Sequence, residues 1–287
     1  NGLNGEAPQA GAFVGVELLV HADGHAAPHR ATSALASRRT DESGIVGDPA
    51  ASHRQPDDAG QLHAEAELTS TITVTSDYDF RGITQTAQDP AIQGSLDLAL
   101  ESGAYLGAWA SNVDFGDDTA SDVEIDLLGG YSASINDDLA YDVGAVLYIY
   151  QDDDDDIDYM EVYGGLDYKI LSTKLWISPD YLNSDDSAFY LEGNLEGGSL
   201  PFELGWLVHL GYSGGEFFSD TEDNGLDEYF DWAVGLTRTF GRFDFELKWA
   251  DGSDLDEADG TGSPPEANSS EGRVIFSVAT TFPWSDE

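Results

Sequence analysis

The chain has 287 residues, enough for one large β domain or two small ones, and carries 56 Asp and Glu against 11 Lys and Arg, a net charge of −45. Such a chain repels nucleic acid and anionic lipid surfaces, which excludes nucleic acid as a partner. It has no cysteine, hence no disulfide framework or thiolate metal site, and no apolar run approaches the roughly 20 residues of a membrane-spanning helix.

A transmembrane β-barrel remains open, because each strand needs only about 9–11 residues of alternating character. Strong acidity also accompanies disorder, but 11% aromatic content and clean periodicity argue against disorder for most of this chain. An acidic surface suits a high-salt habitat, halophilic or marine, where screening weakens self-repulsion.

Residues 1–64 differ from everything after them. They hold five of the six His (His21, His25, His29, His53, His63) and four of the 11 basic residues, amid Ala, Gly, Ser and Pro. The apolar stretch Gly11–Val20 lacks a preceding basic segment and reads as a short strand or a poor targeting remnant. The histidine spacing matches no metal-ligand signature, so a flexible, low-complexity extension over residues 1–66 is expected.

From Glu67 the pattern becomes that of strands. In Leu68–Phe80, residues Leu68, Ser70, Ile72, Val74, Ser76, Tyr78 and Phe80 share one face and Thr69, Thr71, Thr73, Thr75, Asp77 and Asp79 the other, the period of two that a strand with two surroundings requires. Ile92–Leu100 and Ala104–Val113 follow, then Asp122–Ser134, Leu139–Tyr150, Asp158–Ile170, Thr173–Ser178 and Ala188–Glu196. Pro201–Tyr212, Leu226–Phe240, Phe243–Ala250 and Gly272–Phe282 complete twelve predicted strands. Long polar connections follow every odd strand and short turns every even one, the mark of an up-and-down antiparallel sheet.

The faces then decide between water and lipid. Phe230, Trp232, Val234 and Leu236 share a face, as do Phe243, Phe245, Leu247 and Trp249, with Asp231, Thr237, Asp244, Glu246 and Lys248 opposite. A soluble sandwich buries the first set; a membrane barrel turns it to lipid and lines a wet lumen with the second. An even strand count, both barrel termini at the short-turn end and lopsided loops favour the membrane barrel. Aromatics near strand ends (Tyr78, Phe80, Tyr148, Tyr150, Phe202, Trp249, Phe282, Trp284) read as girdles, and the last strand ends near Phe282, as outer-membrane barrels do.

The segment SDYDFRGITQT (Ser76–Thr86) with DPAIQGSLDLALESGAYLGAWASNVDFG (Asp89–Gly116) resembles the TorF family of proposed bacterial porins. Phe80, Arg81, Gly82, Gln85, Pro90, Gln93, Gly94, Glu101, Gly103, Gly107, Trp109, Ser111, Asn112 and Val113 match the family pattern as they stand. The resemblance implies an outer-membrane β-barrel of a Gram-negative bacterium and a pore, and brings no catalytic residue.

Pore-lining candidates are Asp97, Glu124, Asp126, Asp142, Glu161, Asp167, Glu192, Glu203, Asp231, Asp244, Glu246 and Lys248, with Lys169 and Arg273 as further nearby cations. Rings of acid favour cations and disfavour anions; the alternative is that the same residues form a static network filling the barrel. The loop carrying Arg81 and Gln85 is a candidate constriction folding inward. Acidic runs at Asp152–Asp156 and Asp251–Gly262 invite a calcium reading, but neither has EF-hand spacing, so solvated loops with weak divalent binding are expected.

His209 reads as a hydrogen-bonded wall residue near Glu203, and with no Gly-x-Ser-x-Gly motif no enzyme and no cofactor are expected. The sequence therefore predicts an all-β, twelve-stranded up-and-down transmembrane β-barrel over residues 67–287. Its expected function is passage of small solutes or cations through an acidic lumen. The alternatives are a non-conducting outer-membrane barrel with ion- or partner-binding loops and a soluble secreted β-barrel or sandwich.

Overall fold

The structure is a computed structural model that describes residues 66–115, 121–151, 157–219, 227–253 and 271–284. The predicted N-terminal extension, the Asp152–Asp156 run and most of the Asp251–Gly262 loop lie outside the described residues.

Twelve long strands form the wall. They are β1 (Ala66–Thr75), β4 (Ala91–Leu100), β5 (Ala104–Asn112), β6 (Val123–Asn136), β7 (Leu139–Gln151), β8 (Tyr159–Tyr168), β9 (Leu171–Ser178), β10 (Ala188–Leu200), β11 (Leu204–Gly215), β12 (Tyr229–Phe240), β13 (Phe243–Gly252) and β14 (Arg273–Pro283). Each pairs antiparallel with its sequence neighbour in the wall, and β14 returns to β1 with Val74 opposite Val278, closing the ring. Closure removes both sheet edges, so every wall strand has two partners. The expected alternation holds: short turns follow β4, β6, β8, β10 and β12, and longer connections follow the others.

The polarity is inside-out. Apolar side chains on the outer face stay exposed over the whole circumference, among them Ile72, Leu96, Leu127, Leu147, Val162, Leu191, Val234, Leu247 and Phe276. Thr71, Thr73, Gln93, Asp97, Glu161, Glu192, Asp231 and Lys248 are buried on the inner face. A soluble β-barrel has the opposite arrangement, because apolar area facing water is unfavourable by about 25 cal/mol per Å². The alternation expected for the last three strands holds: Trp232, Val234, Leu247, Trp249 and Phe276 all point outward.

Three expectations are corrected. The first strand ends at Thr75, not Phe80; residues 76–90 leave the wall, and Asp79–Phe80 (β2) pairs with Ile83–Thr84 (β3) as a separate hairpin. Tyr78, Phe80 and Tyr148 are therefore no girdle but buried inside the barrel, while Tyr150 turns inward to donate to Glu124 at 3.1 Å. Finally, β11 begins at Leu204 rather than Pro201, because residues Pro201–Glu203 form a 3₁₀ turn. Proline has no N–H to give a sheet ladder, so it belongs in the turn before the strand.

Candidate functional site: a braced acidic lumen

The lumen is built around the hairpin of residues 76–90. Inside the hairpin Asp77 is the hub: Thr84 Oγ1 donates to its Oδ1 at 2.5 Å and Thr86 Oγ1 at 3.2 Å. The Tyr78 amide donates to Thr86 Oγ1 at 3.1 Å, and the Gln85 amide to the Tyr78 carbonyl at 2.7 Å. Gln85 is buried, its side chain donating to its own neighbour Ile83 at 3.2 Å. Gly82 is required at the tip. Its φ is +83°, and a Cβ there would lie 2.5 Å from Cβ of Asp231 on β12.

Cations fix this hairpin to two walls. Arg273 on β14 donates to both Asp77 and Asp79 and, at 3.1 Å, to the Gly82 carbonyl, while Lys248 Nζ on β13 lies 3.6 Å from Asp79. On the other side Arg81 donates to both carboxylate oxygens of Glu161 on β8, at 2.9 and 2.6 Å. The Tyr148 hydroxyl adds a third donor to Glu161 at 3.0 Å. The Arg81 guanidinium also lies 4.4 Å from the ring centroid of Tyr190 and 4.6 Å from that of Phe80. β14 and β8 are six strands apart in either direction round the ring, so the hairpin is a strut across the diameter.

An aromatic layer covers the long-loop end beside the strut. Tyr148 on β7 stacks on Tyr159 of β8 at 4.4 Å, and Tyr159 meets Tyr181 at 4.8 Å. Tyr181, from the β9–β10 connection, then meets Phe217 at 4.9 Å and Phe218 at 5.7 Å, and Phe218 reaches Tyr229 on β12 at 5.7 Å. Burial pushes the Tyr181 hydroxyl up to about 12, Arg81 nearby partly opposing it.

Two further networks line the wall. Trp176 Nε1 donates to Glu192 at 2.8 Å, Asn194 Nδ2 to the same carboxylate at 3.0 Å, and His209 Nδ1 lies 2.6 Å from Asn194 Oδ1. His209 Nε2 is 2.8 Å from Asp231, which also accepts from Tyr190 at 3.1 Å. His209 is thus a wall residue as expected, but its carboxylate partner is Asp231 rather than Glu203. Nearer the short turns, Tyr105 donates to Asp142 at 2.6 Å and touches the Tyr163 hydroxyl, while Lys174 Nζ lies 3.1 Å from Asp142.

Of the residues singled out in the sequence, Asp97, Glu124, Asp126, Asp142, Glu161, Glu192, Asp231 and Lys248 point inward and are buried; Asp167 and Glu246 point inward and are half-buried. Asp244, at the short-turn rim, is exposed and accepts from Thr239 at 2.6 Å. Glu203 does not line the interior: it is 88% exposed on the 3₁₀ turn, 3.8 Å from Arg238. Lys169 also stands outside, pairing with Asp138 at 3.5 Å. Sequence reasoning put Asp77 and Asp79 on the polar face of the first strand without counting them among the pore-lining residues, and missed Lys174 as an interior charge and the inward turn of Tyr181, Phe217 and Phe218. Burial falls toward the short turns: on β12, Asp231 is buried, Thr237 half-buried and Thr239 exposed. The interior is therefore filled at the long-loop end and opens at the other.

A closed antiparallel barrel of twelve strands with an apolar outer belt and an ionic interior defines a porin-like barrel. The chain belongs to the family described as "Bacterial protein of unknown function (Gcw_chp)", whose model matches residues 60–282. No curated protein matches it in sequence. Similar solved structures include the KdgM porin, with a TM-score of 0.46 at 9% identity, covering 77% of this chain and 99% of that one. The NanC porin has a TM-score of 0.47 at 10% identity, covering 75% and 98%. OprD of Pseudomonas aeruginosa has a TM-score of 0.35 at 10% identity, covering 79% and 68%.

Proposed function

We propose that this protein is an outer-membrane, porin-like barrel that passes small cations or small neutral solutes through an acid-lined lumen, with the 76–90 hairpin setting the constriction. The continuous apolar outer belt supports a lipid surroundings, and the excess of inward carboxylates over inward cations supports exclusion of anions. One observation carries the reading. The segment Ser76–Thr86, which resembles TorF-type porins in sequence, is the segment that spans the lumen from Arg273 to Glu161. A segment braced across a pore is where conduction is set.

A second reading is a non-conducting barrel, and the aromatic layer from Tyr148 to Tyr229 favours it. Planar-bilayer recording in a salt gradient separates the two, with wild type compared against Arg81→Ala. The channel reading expects small, infrequent, cation-selective steps from wild type and larger ones from the variant. Verified insertion with no steps from either protein supports the non-conducting barrel, and anion-selective steps overturn the acid-lumen reading.

A further inference from the structure

The ion pairs of the strut and of the His209 network are sealed, with no side chain among Arg81, Glu161, His209, Asp231, Lys248, Asp79, Arg273 and Asp77 more than 8% exposed. Lys174 and Asp142 differ. Their side chains are 12% and 11% exposed, and they stand on the side of the lumen that opens toward the short turns.

Two rows of the sheet register build their surroundings. In the first row Tyr105 of β5, Gly130 of β6, Gly144 of β7, Tyr163 of β8 and Trp176 of β9 are successive partners across the wall. The two glycines make room, since a Cβ on either would collide with a tyrosine hydroxyl. Tyr105 and Tyr163 lean in over them from opposite sides until their hydroxyls meet, and Tyr105 donates to Asp142 Oδ1 at 2.6 Å. The second row, one step toward the short turns, runs Asp142 of β7, Gly165 of β8, Lys174 of β9 and Glu192 of β10. Gly165 lets the Lys174 stem cross β8: a Cβ there would lie 3.3 Å from Lys174 Cε. The ammonium so arrives 3.1 Å from Asp142 Oδ2, 4.5 Å from the ring centroid of Tyr163 and 5.0 Å from that of Trp176.

A carboxylate and two aromatic rings around an ammonium form an organic-cation site, because ring quadrupole and ion pair attract the same charge. Its occupant is an alkylammonium on a flexible four-carbon stem, so the chain displays the ligand class on its own side chain. A second resting place lies across the register, where Glu192 stands directly opposite Lys174.

We propose that Asp142, Tyr163 and Trp176 bind primary alkylammonium ions arriving from the short-turn end, and that Lys174 is the tethered cation they displace, swinging toward Glu192. As a station for passing cations the site rests on the channel reading above; as a binding site it does not.

The probe is n-butylammonium chloride, the lysine side chain as a free ion, with NaCl and the uncharged n-butanol as controls. Melting of the full chain folded in detergent reads binding without conduction. Wild type should be stabilised saturably, and Lys174→Ala, which lacks the tethered competitor, should bind about tenfold more tightly. Adding Asp142→Asn to Lys174→Ala should abolish the effect, with folding checked by heat-modifiable gel mobility. Should Lys174→Ala not fold, wild type against Asp142→Asn decides: saturable stabilisation lost in the variant supports the site. In bilayers n-butylammonium added at the short-turn side should reduce the potassium current, more strongly in Lys174→Ala. Absence of current in every protein strikes the channel reading and leaves the melting result to decide the site. Equal stabilisation by n-butanol or NaCl, equal affinity in wild type and Lys174→Ala, or binding that survives Asp142→Asn would overturn it.

Discussion

Arg81 and Glu161 meet at 2.6 Å in the interior although Arg81 belongs to a hairpin tied to the opposite wall, and Glu161 is wholly buried. Removing either partner leaves an uncompensated buried charge, a loss of about 3–5 kcal/mol for pairs of this kind, whereas removing both with apolar residues of similar size is far milder. Arg81→Met and Glu161→Leu should each lower the unfolding midpoint in detergent, and the double variant should recover most of it. Additive losses in the double-mutant cycle would show that the two ends of the strut are not coupled.

Gly82 combines a φ of +83° with the approach of Asp231. Gly82→Ala should unseat the hairpin tip while sparing the wall. Limited trypsin digestion reads this directly: the bond after Arg81 is buried in the wild type and should be cut at least tenfold faster in the variant. Equal protection in both proteins would mean the tip is seated by other contacts.

Val234 is outward on β12, paired across to Trp249 on β13. In lipid, Val234→Arg near the middle of the belt should cost about 2–4 kcal/mol, and the same change at a rim position about 0–1. Folding titrations into phospholipid vesicles measure both. No penalty at Val234 would count against a lipid-facing belt.

Tyr181 keeps its proton to about pH 12, since burial disfavours the phenolate. A hydroxyl whose folded-state value is raised contributes stability that is full below the ordinary tyrosine range near 10 and is lost as pH rises from there toward 12. Absorbance at 295 nm should show one tyrosine titrating near 12 that is missing in Tyr181→Phe. The wild type should lose its stability advantage over that variant across the same interval. A normal titration would mean that water reaches the aromatic layer.

The wall was legible because a strand between two solvents writes its faces into every second residue, and Ile72, Val234 and Phe276 stand where that period puts them. The contents of the lumen were less so. Tyr78 and Phe80 continue the period of the first strand without interruption, and nothing in two more alternating residues reveals that the chain has left the wall. Tyr148 was legible in principle: it lies six residues from Asp142 on one strand, so both face the same way, and a lumen-facing Asp142 already implied an inward Tyr148. Pro201 likewise marked Glu203 as a turn residue. Arg273 pairing with Asp77 was not legible at all, since 196 residues separate them and only ring closure brings them together.

That separation bears on how the molecule is made. The seat of the hairpin is shared between the first connection after β1 and the final strand, and Arg273 arrives only when β14 zips against β1. The interior therefore cannot be completed ahead of the seam. Closing a loop of this length carries its entropic cost before any contact rewards it, so the ionic clasp between Asp77, Asp79 and Arg273 acts as the latch of assembly. A barrel with an open seam has a loose strut, and a cut after Arg81 during refolding marks the molecules that have yet to close.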